Sequence, residues 1–113
     1  MPEEANADLV IRVTPIRRRR SRGKLADVEL HFVGRSPLVG MKLIGFSIWE
    51  RDAEGNLVVK FPARAFAVKG QRRSFPLFRP IADTAAQDAI RDRILDAYAR
   101  CARHPGDTTI YPT

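Results

Sequence analysis

The strictest pattern in the chain is the alternation of apolar and polar residues between Lys24 and Val33. The apolar positions are Ala26, Val28, Leu30 and Phe32, and the polar positions between them are Asp27, Glu29 and His31. Successive side chains of a β-strand point to opposite faces, so this pattern predicts a strand with one face on a core and the other in solvent. Such strands belong to antiparallel sheets, because the strands of parallel sheets are buried on both faces.

Two further segments predict neighbours for this strand. Residues 8–14 predict a strand through the alternating apolar residues Leu9, Ile11 and Val13. Residues 38–49 are apolar at both parities, which predicts a strand that is covered on both faces. Gly40 and Gly45 indicate a bulge or a bend within that strand.

The middle of the chain predicts a hairpin followed by an edge strand. The stretch RDAEGN at 51–56 has the residues of a hairpin turn, and NLVVKF at 56–61 forms the return strand. In SFPLFRPI, residues 74–81, the two prolines are separated by an even number of positions. Both positions that lack an N–H donor therefore lie along the same edge of the strand. Such a segment pairs on one side only and is predicted to be an edge strand or an irregular extended segment.

The last part of the domain predicts an amphipathic helix. Thr84 and Gln87 have the spacing of a capping box, and HPG at 104–106 is a stop signal. The residues spaced along one helical face are Ile90, Ile94, Ala97, Tyr98 and Cys101. Four or five strands followed by one helix predict the α+β class, with a small, mainly antiparallel sheet in a meander with a central hairpin and then the C-terminal helix.

The length of 113 residues corresponds to one ordinary domain. We expect residues 1–7 to be a disordered leader, 8–104 to be the domain and 105–113 to be a C-terminal tail. No apolar run reaches the roughly 18 residues of a membrane span, and the acidic start is unlike a secretory signal, so we expect a cytoplasmic protein without a membrane partner. A single cysteine, Cys101, excludes an internal disulfide.

Charge is strongly segregated along the chain. Lys and Arg total 20 against 13 acidic residues, which gives a net charge of +7. Residues 14–25 and 60–79 contain twelve of the bases, six in each, and neither segment contains a carboxylate. A segregated excess of this kind favours a polyanionic partner such as nucleic acid, because interspersed charges would serve solubility equally well.

The two basic segments are the candidate binding surface, the first as an arm and the second as a loop. The candidate phosphate-contacting residues are Arg64, Lys69, Arg72 and Arg73 in the loop and Arg17, Arg18, Arg19 and Arg20 in the arm. Alternation places most of the phenylalanines of the loop, namely Phe61, Phe75 and Phe78, in the core, with base stacking on Phe66 or Phe78 as the alternative. Three other interpretations stay open: bases that only solubilise, an arm with a membrane or targeting role, and a protein-interaction module whose basic surface binds an acidic protein partner.

Catalytic motifs are absent from the sequence. His31 and His104 lie far apart, no Cys/His cluster has the spacing of metal ligands, and no glycine-rich phosphate loop or nucleophile elbow occurs. Cys101 falls on the apolar face of the predicted helix, as a buried structural thiol does. We therefore expect no enzymatic activity, no metal, no other cofactor and no small-molecule substrate.

The apolar residues of 38–49 also predict self-association. One helix of about twenty residues covers only one face of a small sheet, which leaves the second apolar face for another copy of the chain. The sequence therefore predicts a homodimer.

The order of these elements is similar to that of a known family. The hairpin runs into Phe61-Pro62-Ala63-Arg64, the extended segment ends in Arg79-Pro80-Ile81, and the helix carries Ile90, Ile94, Leu95 and Tyr98. On these residues the chain from about Leu9 to Arg103 resembles the SpoVG (stage V sporulation protein G, septation regulator) family. The resemblance implies a homodimeric bacterial nucleic-acid-binding regulator without cofactor or catalysis, in which Arg64, together with Lys69, Arg72 and Arg73, occupies the place of the family's loop bases.

Overall fold

The computed structural model describes residues 8–16, 23–102 and 110–112, the last three for their backbone alone. A five-stranded antiparallel sheet has the order β4-β3-β2-β1-β7. Its strands are β1 (Leu9–Pro15), β2 (Lys24–Phe32), β3 (Lys42–Glu50), β4 (Leu57–Lys60) and β7 (Ile110–Pro112). A separate two-stranded ribbon consists of β5 (Ala63–Val68) and β6 (Gln71–Pro76), and the helix α1 spans Ala85–Ala102. The predicted α+β class is confirmed, and the predicted tail 105–113 contributes the edge strand β7.

The core lies between α1 and one face of the sheet. The sheet contributes Leu9, Ile11, Val13, Ala26, Val28, Leu30, Phe46, Ile48 and Val59, and the helix contributes Ile94, Ala97 and Cys101. The buried residues of β1 and β2 are the alternate residues predicted from the sequence, and those of the helix lie on its predicted face. Asp83 caps the helix, since its Oδ1 accepts a hydrogen bond from the N–H of Ala85 at 2.9 Å, in place of the predicted box from Thr84.

The predicted strand 38–49 is shorter in the structure and contains a bulge. Residues 38–40 lie in turns, and the strand begins at Lys42. Leu30 pairs with Leu43 and Val28 pairs with Phe46, so Ile44 and Gly45 together oppose the single residue between Val28 and Leu30. Gly45 has φ +106°, a conformation that suits glycine. The extra residue changes the parity, so Leu43 and Phe46 both pack on the core and Ile44 is exposed. Cover of the second face by another copy of the chain stays a prediction.

The predicted central hairpin is confirmed. The N–H of Arg51 donates to the carbonyl of Asn56 at 2.6 Å and closes the turn. The Asp52 carboxylate accepts hydrogen bonds from the Asn56 side chain at 2.9 Å and from the N–H of Glu54 at 3.1 Å. The hydrogen bond from Asn56 lowers the pKa of Asp52.

The predicted basic loop is a β-ribbon. Its strands are in register from Ala63 opposite Pro76 to Val68 opposite Gln71, which leaves a two-residue turn of Lys69 and Gly70. Both turn residues have positive φ, +51° and +79°, as a type I′ hairpin turn requires. The prediction of a loop is wrong. Large and small residues alternate on both sides of this turn, as they do in the strands of a hairpin, although the segment is rich in charge. The predicted edge strand 74–81 contributes only its first three residues to β6.

The helix α1 is the only helix in the described part of the chain, and it does not combine the length and the apolar character needed to cross a membrane.

Candidate nucleic-acid interface

The ribbon is attached to the sheet through an aromatic cluster at its base. Phe61 enters the ribbon and Phe78 leaves it, and both rings pack edge-on against Phe46 of β3, with centroids 5.2 and 5.6 Å away. Phe61 and Phe78 also stack on each other at 6.1 Å. The N–H of Leu77 donates to the carbonyl of Pro62 at 3.0 Å and closes the base. The core therefore holds the two ends of the ribbon.

Beyond this base, the ribbon extends into solvent. Every residue of β5 and β6 is exposed, on both faces of the ribbon. An isolated two-stranded ribbon buries too little apolar surface to be stable alone, so the anchoring cluster and the I′ turn define its position. An element that projects on a fixed base is well suited to contact a partner.

The two faces of the ribbon differ in composition. Side chains alternate along each strand, and directly paired residues share a face. One face, called here the aromatic face, consists of Arg64, Phe66, Val68, Gln71, Arg73 and Phe75. The opposite face, called here the alanine face, consists of Ala63, Ala65, Ala67, Arg72, Ser74 and Pro76. The base of the alanine face borders an open groove that Phe61, Phe78 and Gln87 also line, whereas the aromatic face carries the larger side chains.

All charged residues of the ribbon and of the segments that flank it in the chain are positive. No carboxylate occurs between Glu54 and Asp83. The side chains of the predicted loop bases are all exposed, and none of them forms an ion pair among the described residues. The Arg79 guanidinium lies over the ring of Phe75, with its central carbon 5.3 Å from the centroid. Unpaired exposed bases on a projecting element produce a locally positive potential that attracts anions.

The structure distributes the predicted site residues over the ribbon. Arg64 and Arg73 share the aromatic face, Arg72 lies on the alanine face, and Lys69 occupies the turn at the tip. The predicted arm from Arg17 to Arg20 lies outside the described residues.

The sequence reasoning missed the exposure of Phe75, which it had placed with the core phenylalanines. Phe61 and Phe78 are inward as predicted, whereas Phe66 and Phe75 point to solvent. The usable signal was the spacing of Arg64, Phe66 and Val68 before Lys69-Gly70, with Gln71, Arg73 and Phe75 after it. Alternation that is symmetrical about a two-residue turn indicates a hairpin with one distinct face.

The polar face of the sheet carries a smaller charged cluster. The Glu29 carboxylate lies 2.8 Å from Nε2 of His31 and 3.4 Å from Nζ of Lys42. The hydrogen bond with His31, and next the charge of Lys42, lowers the pKa of Glu29. Across the described residues, no three His, Cys, Asp or Glu side chains are grouped as a metal site requires.

Comparisons with protein-family models, with curated proteins and with solved structures find no match. The resemblance to the SpoVG family stays a prediction from the residues named above. The structure places Phe61-Pro62-Ala63-Arg64 at the entry of the ribbon and Arg79-Pro80-Ile81 just after its exit. Ile94 is buried in the helix, and Ile90, Leu95 and Tyr98 pack against the same core.

Proposed function

We propose that the protein is a cytoplasmic, homodimeric, SpoVG-like regulator that binds nucleic acid by contacting phosphates with its basic ribbon and acts without catalysis. One observation carries the proposal: the ribbon projects from the sheet and presents Arg64, Lys69, Arg72 and Arg73 to solvent, with no ion pair among the described residues and in a segment, 55–82, that contains no carboxylate. Guanidinium groups donate in a planar fork that matches phosphate oxygens, and three of these four residues are arginines.

A protein with a solubilising surface would not need this arrangement. On the helix, by contrast, surface bases are paired with acids, as in Arg91 with Asp88 and Arg100 with Asp96. The ribbon has no such balance. In this proposal the arm from Arg17 to Arg20 adds further phosphate contacts.

Dimerisation is supported by exposed apolar residues at one end of β3. Leu38, Val39, Met41 and Ile44 are all more than half exposed, and they follow one another closely in the turn and the bulge. Solvent-exposed apolar groups that cluster favour an interface with another chain. A two-fold symmetric pair would present two ribbons to one nucleic acid, which lengthens the basic surface. A mass of 12.7 kDa for the chain in light scattering at micromolar concentration would refute the dimer.

The phosphate contacts are tested by the double variant Arg72→Ala/Arg73→Ala. A matched control is Arg35→Ala/Arg51→Ala, which removes the same charge from exposed turns outside the ribbon. Each phosphate contact contributes about 0.9 to the slope of log K against log salt on duplex DNA and about 0.7 on single strands. We expect the ribbon variant to bind more weakly to every sequence, with a slope flatter by several tenths to about two units, whereas the control keeps nearly the slope of the wild type.

Two outcomes would contradict the proposal. One is that the wild type binds no nucleic acid more tightly than about 10⁻⁴ M at low salt. The other is that the ribbon variant retains the affinity and slope of the wild type. If either occurs and an acidic protein still binds in the presence of excess DNA and RNA, the chain is a protein-interaction module.

A further inference from the structure

Two phenylalanine rings remain in solvent on the aromatic face. Phe66 is 39% exposed and Phe75 is 50% exposed, although Phe61 and Phe78 of the same segment pack on the core. An exposed ring on a projecting ribbon contributes little to the fold, because neither core nor helix covers it. Exposed large apolar groups of this kind mark surfaces that bind a partner.

The rings alternate with the bases in a diagonal arrangement. Phe66 is directly opposite Arg73, and Arg64 is directly opposite Phe75. Directly opposite Cβ atoms lie about 4.5–5.5 Å apart, and the diagonal neighbours Phe66 and Phe75 lie about 7–8 Å apart. Each ring therefore has a guanidinium beside it, and the two rings are close enough to meet neighbouring bases of one strand.

We propose, on the basis of the nucleic-acid-binding function above, that the aromatic face selects single-stranded nucleic acid. Unpaired bases stack on Phe66 and Phe75, while Arg64 and Arg73 hold the phosphates that flank them. A duplex buries the faces of its bases in its own stack, so only an unpaired strand offers a ring to stack against. Stacking on exposed aromatics of a β-sheet surface is an established means of binding single strands, and it tolerates any sequence because every base has a π-face.

The charge on this face argues against a second copy of the chain as its occupant. Two aromatic faces in contact would bring Arg64 and Arg73 of each copy together without a carboxylate between them, and like charges brought together across an interface repel. A polyanion with ring faces satisfies both the guanidinium groups and the phenylalanines.

The test replaces both rings and keeps every base. Phe66→Leu/Phe75→Leu retains apolar side chains but removes the aromatic faces, and Val68→Ala on the same face is the control for lost apolar surface. Three labelled probes are titrated at several salt concentrations: an oligothymidine strand, the matched duplex, and an abasic strand with the same number of phosphates.

We expect the ring variant to bind the oligothymidine strand roughly 10- to 100-fold more weakly, with an unchanged salt slope. Binding of the abasic strand and of the duplex should change by less than about twofold, since neither presents a free base to the rings. The Val68→Ala control should bind all three probes as the wild type does.

The outcomes separate this inference from the proposed function. If the wild type binds the probes with a steep salt slope but the ring variant binds the oligothymidine strand equally well, stacking is refuted and phosphate binding stands. Equal losses on all three probes would also refute stacking, since they indicate a general contact. A fall in the mass of the ring variant with unchanged binding would show that the rings pack against a second copy. If the wild type binds none of the probes, both proposals fail.

Discussion

Replacing Phe78 with alanine should destabilise the protein, whereas the same change at Phe75, three residues earlier, should not. Phe78 is part of the aromatic cluster with Phe46 at 5.6 Å and Phe61 at 6.1 Å. Each aromatic pair contributes about 0.5–1.5 kcal/mol beyond its buried area, and a fully buried phenylalanine costs about 3–5 kcal/mol when truncated. Phe78 is only partly buried, so we expect a loss of about 2–3 kcal/mol.

Phe75 has half of its surface in solvent, and Arg79 lies over its ring at 5.3 Å. An exposed cation–π contact contributes about 0.5–1 kcal/mol, so Phe75→Ala should lose no more than that. The measurement is urea unfolding of both variants. With a slope of about 1–3 kcal/mol per M, the midpoint of Phe78→Ala should fall by about 1–2 M and that of Phe75→Ala by much less.

Equal losses of stability for the two variants would refute the division of the rings into an inward and an outward pair. The binding assay supplies the opposite contrast. Phe75→Ala should weaken single-strand binding while its stability is nearly unchanged, because the ring is assigned to the nucleic acid and not to the core.

The remaining predictions concern the helix, the turn and the pH dependence. Ile94 is fully buried, so Ile94→Ala should cost about 2–5 kcal/mol in chemical unfolding, whereas Arg93→Ala on the exposed side should change stability by about 0.5 kcal/mol or less; comparable losses would mean that the wrong face is assigned to the core. Gly70 has φ +79°, so Gly70→Ala should strain the turn by roughly 1–2 kcal/mol and reduce amide protection in β5 and β6, and unchanged ribbon protection would contradict this. The pKa of Glu29 in the folded protein is lowered from its ordinary 4.5, so its contribution is present above that pH and is lost as the pH falls through the folded value. When stability is measured at decreasing pH, Glu29→Gln should therefore lose less stability than the wild type. The difference should be less than about 1 kcal/mol because the pair is near the surface, and equal losses at acid pH would count against the pairing of Glu29 with His31.

The sequence by itself determined the strands, the helix and the turn whose residue patterns depend only on nearby positions in the chain. Alternation set the buried faces of β1 and β2, because a strand with one polar and one apolar parity has only one favourable orientation on a core. The spacing of Ile94, Ala97 and Cys101 identified the buried face of the helix for the same reason. The hairpin at 51–56 was predictable because its turn residues and flanking strands agree.

The basic residues of the candidate interface were also evident in the sequence, since an acid-free run needs no structure to be found. What the sequence left undecided was their arrangement. Arg72 and Arg73 are adjacent in β6 and therefore lie on opposite faces of the ribbon, and the register across the Lys69-Gly70 turn decides which residues of β5 share each face.

The tertiary structure decided that Phe75 is exposed whereas Phe61 and Phe78 pack on the core. Phe61 and Phe78 are inward because both reach Phe46, which lies on the core face of β3 and more than ten residues away in the chain. The bulge at Ile44 and Gly45, which Gly45 indicated in the sequence, places Leu43 and Phe46 on that same face, but only the pairing with β2 shows which residue is the extra one. Phe66 and Phe75 are the same residue type as Phe61 and Phe78 and have similar neighbours in the sequence. They are exposed because the ribbon extends past the edge of the core. Burial depends on which distant surface a side chain meets, and that surface exists only once the sheet is formed.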